Sequence, residues 1–306
     1  MYDQEKVFNI LTLHHAGASS RTIAKEVLAS KSGINYLIQR EKNLHELAKA
    51  PRILFLDLET APSIVASFQR WNVNISPASV IQEGGWLISA SWKFKGDSSV
   101  TNVLATRHEA MQGSDSRLVS ELYSAINQAD ILVAYNGKRF DFPVIRTRGL
   151  INKLAPHKQV RLFDPYDTVK KMKFNSNKMQ SITKYLNIQE HKIDTNMQLW
   201  LDCLDGDETA LRAMATYNDQ DVEVLEQVYY DTLAYSTNHP NLNIYYDDDI
   251  KRCAVCASKD VKSTGNLVYN NNSSFEEYSC NSCGHRMKTK INNTDRNKAK
   301  AILLTA

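Results

Sequence analysis

Residues 53–60 read Ile53-Leu54-Phe55-Leu56-Asp57-Leu58-Glu59-Thr60. An apolar run followed by alternation predicts a buried strand of ordinary length, central in a sheet. Asp57 and Glu59 stand at i and i+2, so on a strand their side chains share one face. Two like charges on such a face repel and are costly to desolvate. A bound divalent cation resolves both costs. Taken alone, Asp-x-Glu reads better as a strand that stops at Leu56, with both carboxylates in a solvated turn, so the decision lies with the rest of the chain.

The chain has 306 residues, 23% charged and 42% hydrophobic, an ordinary composition for a globular protein of one large domain plus small modules. No apolar run approaches the ~18 residues that span a bilayer, and Met1–Lys6 lacks a secretory pattern, so a cytoplasmic protein without a membrane partner is expected. The net charge of +3 is unevenly spread: +3 over residues 1–52, +6 over 251–306, and therefore −6 between them. Basic ends around an acidic middle suit a protein whose ends hold a polyanion and whose middle holds cations. They also fit plain solvated surfaces.

Residues 5–42 predict three short helices. Val7, Ile10, Leu11 and His14 or His15 mark the first, Gly17 ends it, and Ser19 or Ser20 caps the second. Ser30-Lys31-Ser32 opens the third, which carries Ile34, Leu37 and Ile38. Residues 43–52 read as a helix end and linker. Strands are expected at 86–94, 99–105 and 131–135, with a helix over 117–128 between the last two. Asn136-Gly137 then turns, Phe140 is expected to anchor the loop in the core, and Asp141 opens a helix. A further strand and helix start over 162–172, and another helix follows from Ser181. A long helix from Asp207 to Tyr235 carries Tyr217 and Asp221 four residues apart, side by side on one face. Asp219, about 200° round from Tyr217, is expected to face solvent.

Asp57-x-Glu59, then Asn136-x-x-x-Phe140-Asp141, then Tyr217-x-x-x-Asp221 together resemble the DEDD superfamily of 3′–5′ exonucleases, in its tyrosine-bearing subgroup. The likeness covers residues 50–236 and is nearest to phage and bacterial exonucleases related to the proofreading domain of B-family DNA polymerases. Asn74-Ile75-Ser76 after Trp71 and Asn196–Trp200 before the last helix add to it. It implies an α/β domain with an RNase H-like mixed sheet and flanking helices, acting as a stand-alone nuclease. It also implies two Mg²⁺ or Mn²⁺ ions, held by Asp57, Glu59, Asp141 and Asp221. By the resemblance, Asp57 would bridge both ions. Glu59 and Asp221 would serve the ion that activates water, and Asp141 the second, largely through water. Tyr217 would orient the attacking water, since a phenol with a pKa near 10 is a poor base at neutral pH. Asn136 and Phe140 would contact substrate, and the product would be a nucleoside 5′-monophosphate.

The segment from Gly17 to Ser32 resembles the helix-turn-helix of recombinases and transposases. By that likeness the third helix would enter a DNA groove, with Lys31, Ser32, Asn35, Gln39 and Arg40 facing bases and phosphates. A protein-docking bundle fits the same pattern. At the other end, Cys253-x-x-Cys256 and Cys280-x-x-Cys283 stand 23 residues apart around a hairpin pattern. Four thiolates so spaced predict a structural four-cysteine zinc site in a β zinc ribbon. Disulfides, or a site of three cysteines with His285, are the alternatives. Lys251, Arg252, Arg286, Lys288 and Lys290, with Tyr269, Phe275 and Tyr278, suit nucleic-acid binding. Cys203, outside the pairs, reads as a buried small hydrophobe. The expected plan is residues 1–45 as a small all-α module, 46–248 as the RNase H-like domain and 249–306 as the ribbon. The expected partner is nucleic acid, DNA before RNA. The competing functions are a nucleic-acid-binding regulator with a non-catalytic core, and a structure-selective endonuclease or ribonuclease.

Overall fold

The computed structural model describes residues 2–69, 71–189 and 195–303, with the side chains of residues 4, 15 and 42–49 left out of account. His15, named above for the first helical face, is among those side chains. The chain divides into two compact units, residues 1–50 with 245–247, and 51–244 with 248–306.

The first unit holds α1 (Gln4–His15), α2 (Ser20–Glu26) and α3 (Lys31–Lys49). Asp3 caps α1 by accepting from the Lys6 amide, and Ser19 caps α2 by accepting from Thr22. Gly17 turns between them at φ +88°, a conformation that costs glycine little. Ile10, Ile23, Ile34 and Ile38 form the buried core of this unit. The third helix is longer than its periodicity predicts. It continues to Lys49, and Pro51 stops it by disfavouring helical geometry at Ala50.

The second unit is built on a mixed five-stranded sheet. Its strands are β1 (Ile53–Thr60), β4 (Leu87–Phe94), β5 (Thr101–Leu104), β6 (Ile131–Val133) and β7 (Arg161–Phe163). A small pair, β2 (Ile64–Val65) and β3 (Val80–Gln82), stands apart from it. The order is β5-β4-β1-β6-β7, with β1 in the centre. It runs antiparallel to β4 and parallel to β6, so its N-terminal half is paired on both sides. The helices are α4 (Arg107–Gln112), α5 (Ser116–Ile126), α6 (Asp141–Ile151), α7 (Tyr166–Val169), α8 (Met179–Leu186), α9 (Met197–Leu204) and α10 (Glu208–Thr232).

The two faces of β1 have separate fates. Leu54, Leu56 and Leu58 join one buried cluster with Leu118, Leu122 and Ile126 of α5 and with Phe142 and Ile145 of α6. On the other face Phe55 meets Tyr229 of α10 edge-on, with ring centroids 5.1 Å apart. Asp57 and Glu59 follow Phe55 along that same face, so α10 roofs an apolar contact at one end and two carboxylates at the other. Beside β1 and facing the same helix lie Ser89, Ser91 and Lys93 of β4, which are paired in register with Glu59, Asp57 and Phe55 respectively.

The C-terminal part of this unit is a three-stranded antiparallel sheet of β8 (Val261–Tyr269), β9 (Ser274–Cys280) and β10 (Arg286–Lys288), with a last helix α11 (Arg296–Ala301). Asn270 closes its hairpin, accepting on its side chain from the amides of Asn272 and Ser273. Among the described residues no helix is long and apolar enough to cross a membrane.

Candidate active site and thiol cluster

Carboxylate oxygens of Asp57, Glu59 and Asp221 lie within 4.8 Å of one another. β1 supplies the first two by its two-residue period, and α10 brings the third across the sheet face. Asp141 stands outside that trio, at the first turn of α6. It is 3% exposed, and its Oδ1 has no hydrogen-bond partner. An unpaired buried carboxylate oxygen is costly, and a cation is what such an atom lacks. The donor set is all oxygen and anionic, the set hard divalent ions prefer. By these observations the residues present fit such ions.

The electrostatics agree. Burial pushes Asp57 well above the usual carboxylate range, and the charges of Asp141, Asp221 and Glu59 push it further, against a hydrogen bond from Asn218. Glu59 is pushed up to about 8, by burial first and then by Asp221, with a hydrogen bond from Trp200 opposing. Asp141 is pushed up to about 7 by burial, although the backbone amides of Asp141 itself and Leu58 hold it down. Burial and the Asp221 charge also raise the Tyr217 phenol, which is hydrogen-bonded to Asp221. Tyr217 is thus even less able to act as a base than a free phenol.

These shifts set a pH dependence. Glu59 and Asp141 hold protons in the folded, metal-free protein at pH values where the unfolded chain has released them. The contribution of these two groups to stability is therefore fully present below about pH 4 and is lost as pH rises through about 7 to 8. Thermal melts of metal-free protein should show Tm several degrees lower at pH 8.5 than at pH 6, with Mn²⁺ removing most of the difference. A Tm that rises over that interval would contradict the crowding of the carboxylates.

The loop between β6 and α6 places Asp141. Asn136 adopts φ +57°, and a Cβ on Gly137 would come within 2.5 Å of the Ala134 Cβ. The buried Asp164 carboxylate accepts from the amides of Asn136 at 2.9 Å, Lys138 at 3.4 Å and Tyr166 at 3.0 Å, tying the loop to the start of α7. Phe140 does not anchor this loop in the core as the sequence predicts; it is 42% exposed. With α6 starting at Asp141, the inward positions are Phe142, Ile145 and Gly149, and Phe142 does the anchoring.

Asp219 also departs from expectation. It is half-buried and accepts from the Ser91 hydroxyl at 2.7 Å, because α10 lies close over β4 on that side. Sequence reasoning missed Trp200 beside Glu59, Asn218 beside Asp57, and Asp164. The available signal was the pair Ser89 and Ser91, polar residues on the face of β4 that looks towards the carboxylates.

Lys31 and Arg40, with Ser32, Asn35 and Gln39, are exposed on α3 in the other unit, and Tyr36 shares that exposure. The four paired cysteines gather their sulfurs within 4.8 Å. Cys253 and Cys283 stand 3.6 Å apart, as do Cys256 and Cys280, and all five cysteines are unbonded. The same turn builds both halves. The Ala257 amide donates to the Cys253 carbonyl and the Gly284 amide to that of Cys280, each at 3.0 Å, with Ala257 at φ +63° and Gly284 at φ +77°. Four thiols converging from two such turns fit one tetrahedral zinc ion, and His285 is not in the group. Cys203 is fully buried in the main core, away from this cluster.

Residues 86–233, just under half of the chain, match the family model described as RNase_H superfamily, which supports an RNase H-like domain over that stretch and, in general, metal-dependent nuclease chemistry. The match takes in Asp141, Tyr217 and Asp221 and begins after the strand bearing Asp57 and Glu59. Among solved structures, the chain is similar to the family B DNA polymerase from the hyperthermophilic archaeon Pyrobaculum calidifontis. Identity is 12% and the TM-score 0.42, over 60% of this chain and 25% of the polymerase. The chain thus spans about a quarter of that protein's length. No curated protein matches the sequence.

Proposed function

We propose that the protein is a divalent-metal-dependent 3′–5′ exonuclease that hydrolyses single-stranded DNA in preference to RNA and releases nucleoside 5′-monophosphates. The observation that carries the reading is the convergence of Asp57, Glu59 and Asp221 near the unpaired buried oxygen of Asp141, with the Tyr217 hydroxyl on Asp221. Two Mg²⁺ or Mn²⁺ ions, when bound, stabilise the charge that develops on the attacking and leaving oxygens of a phosphodiester.

The chain's own residues do the rest. Asp57, Glu59, Asp141 and Asp221 hold the cations. Tyr217, fixed by Asp221 and packed against Trp200 at 6.1 Å between ring centroids, orients the water without taking its proton. Exposed Phe140 offers a ring on which the terminal base stacks, and Asn136 stands beside it at the mouth of the loop. Lys31 and Arg40 on α3 hold duplex or flanking strand through phosphates, and the ribbon, closed by zinc on Cys253, Cys256, Cys280 and Cys283, adds a second basic grip.

The test uses one sequence as 5′-labelled single-stranded DNA and RNA, with Mg²⁺, Mn²⁺ or EDTA. A metal-dependent ladder shortening from the 3′ end, faster on DNA, is expected. Internal cuts would replace the exonuclease by an endonuclease. Retarded mobility on a native gel without cleavage would make the protein a binding regulator. In the same assay Tyr217→Phe should slow cleavage about 10- to 100-fold, the range of a positioning loss, and leave the pH profile unshifted. A complete loss with a changed profile would mean the phenol transfers a proton after all.

A further inference from the structure

We infer that Asn218 is a positioning residue for the acidic site, and that Ser89 and Asn102 hold it in the one orientation that serves Asp57. The inference rests on reading the acidic cluster as a cation site. Asn218 is fully buried on α10, between Tyr217 and Asp221. Its amide nitrogen donates to Asp57 Oδ2 at 2.7 Å, and its Oδ1 accepts from the Ser89 hydroxyl at 2.9 Å. A serine hydroxyl has one proton, and that of Ser89 goes to Asn218. Its lone pairs then receive the Asn102 side-chain amide, also at 2.9 Å. Asn102 donates to the Ser91 hydroxyl as well, at 2.7 Å, and Ser91 donates on to Asp219.

Every donor in this chain therefore points one way, from β5 through β4 to α10 and so to the carboxylate on β1. The direction matters because an amide can present either end. With Oδ1 committed to Ser89, only the NH₂ end of Asn218 can face Asp57. The reverse orientation would set a carbonyl oxygen against a carboxylate. The register explains why serine serves: Ser89 is paired with Glu59 and Ser91 with Asp57 across the β1–β4 ladder. Small side chains there let α10 pack close over the sheet face, and Ser89 and Ser91 are themselves fully buried. A buried polar chain that is fully satisfied is rigid, and a broken one is costly. Partners that orient metal-binding side chains typically change metal affinity or activity 10- to 100-fold when removed.

Mn²⁺ binding to the full-length protein, measured by titration calorimetry and by electron paramagnetic resonance without nucleic acid, tests this. Asn218→Ala is expected to weaken Mn²⁺ at least about tenfold. Ser89→Ala should weaken it by a smaller factor. The Ser89→Ala/Asn218→Ala double variant should be no weaker than Asn218→Ala, because the two act as one unit. Thermal melts of each metal-free variant establish that it is folded. A merely structural role would lower Tm and leave Mn²⁺ affinity alone. Folded Asn218→Ala or Ser89→Ala protein with wild-type Mn²⁺ affinity would overturn the positioning role only. Folded wild-type protein that binds no Mn²⁺ would overturn the cation site, and the inference with it.

Discussion

Asp57→Asn is expected to cut phosphodiester cleavage by at least a factor of about 10³, roughly 4 kcal/mol of transition-state stabilisation, while raising Tm of the metal-free protein. The two effects have one cause. Asp57 sits where burial and the charges of Asp141, Asp221 and Glu59 all oppose its ionisation. That arrangement serves a bound cation and penalises the empty fold. An amide of the same shape removes the repulsion and can still accept from Asn218, whose Nδ2 is 2.7 Å from Asp57 Oδ2. It cannot offset the charge of a cation, so Mn²⁺ should no longer raise Tm. The check pairs scanning fluorimetry, with and without Mn²⁺, with the labelled-strand assay. Asp141→Ala should behave alike in activity, because its Oδ1 has no partner in the fold to lose. A metal-free Asp57→Asn protein that melts lower than wild type, or one that still degrades DNA, would show that the carboxylate is structural. Such exchange of stability for function is usual at active sites.

Paired Cys253→Ser and Cys280→Ser substitutions should have the largest effect on stability. Wild-type protein is expected to carry one zinc per chain by atomic absorption, and the variant none. Structural zinc sites contribute about 10–16 kcal/mol of apparent binding energy that a small module draws on to fold. The ribbon strands bury little else: most residues of β8 and β10 are exposed or half-exposed. Limited proteolysis should therefore cut the variant between residues 250 and 303 long before the main sheet. The loss should also reach α10. His285 Nδ1 lies 2.9 Å from the Ala234 carbonyl just beyond that helix, and the Leu242 amide donates to the Ala254 carbonyl at 2.7 Å. The helix thus tethered is the one that carries Tyr217 and Asp221. A variant that keeps its protease resistance and its Tm would mean the thiols only cluster, without holding metal.

Much of this site is legible in one dimension. A strand turns each side chain to the opposite face of the last, so Asp57 and Glu59 had to share a face wherever β1 went. A helix brings residues four apart together, so Tyr217 and Asp221 had to be neighbours. Two Cys-x-x-Cys turns had to aim their sulfurs inwards. These are consequences of local backbone geometry, which sequence alone determines. The tertiary structure decided what lies opposite. Phe140 faces solvent and Phe142 the core because α6 begins at Asp141 and packs by its own period. Asp219 meets Ser91 rather than water, and Asn218 meets Asp57, because α10 crosses β4 at one particular height. Trp200 reaches Glu59 from a helix more than a hundred residues further along the chain. No local rule reports such distances, because they depend on how the buried faces of whole elements fit against each other.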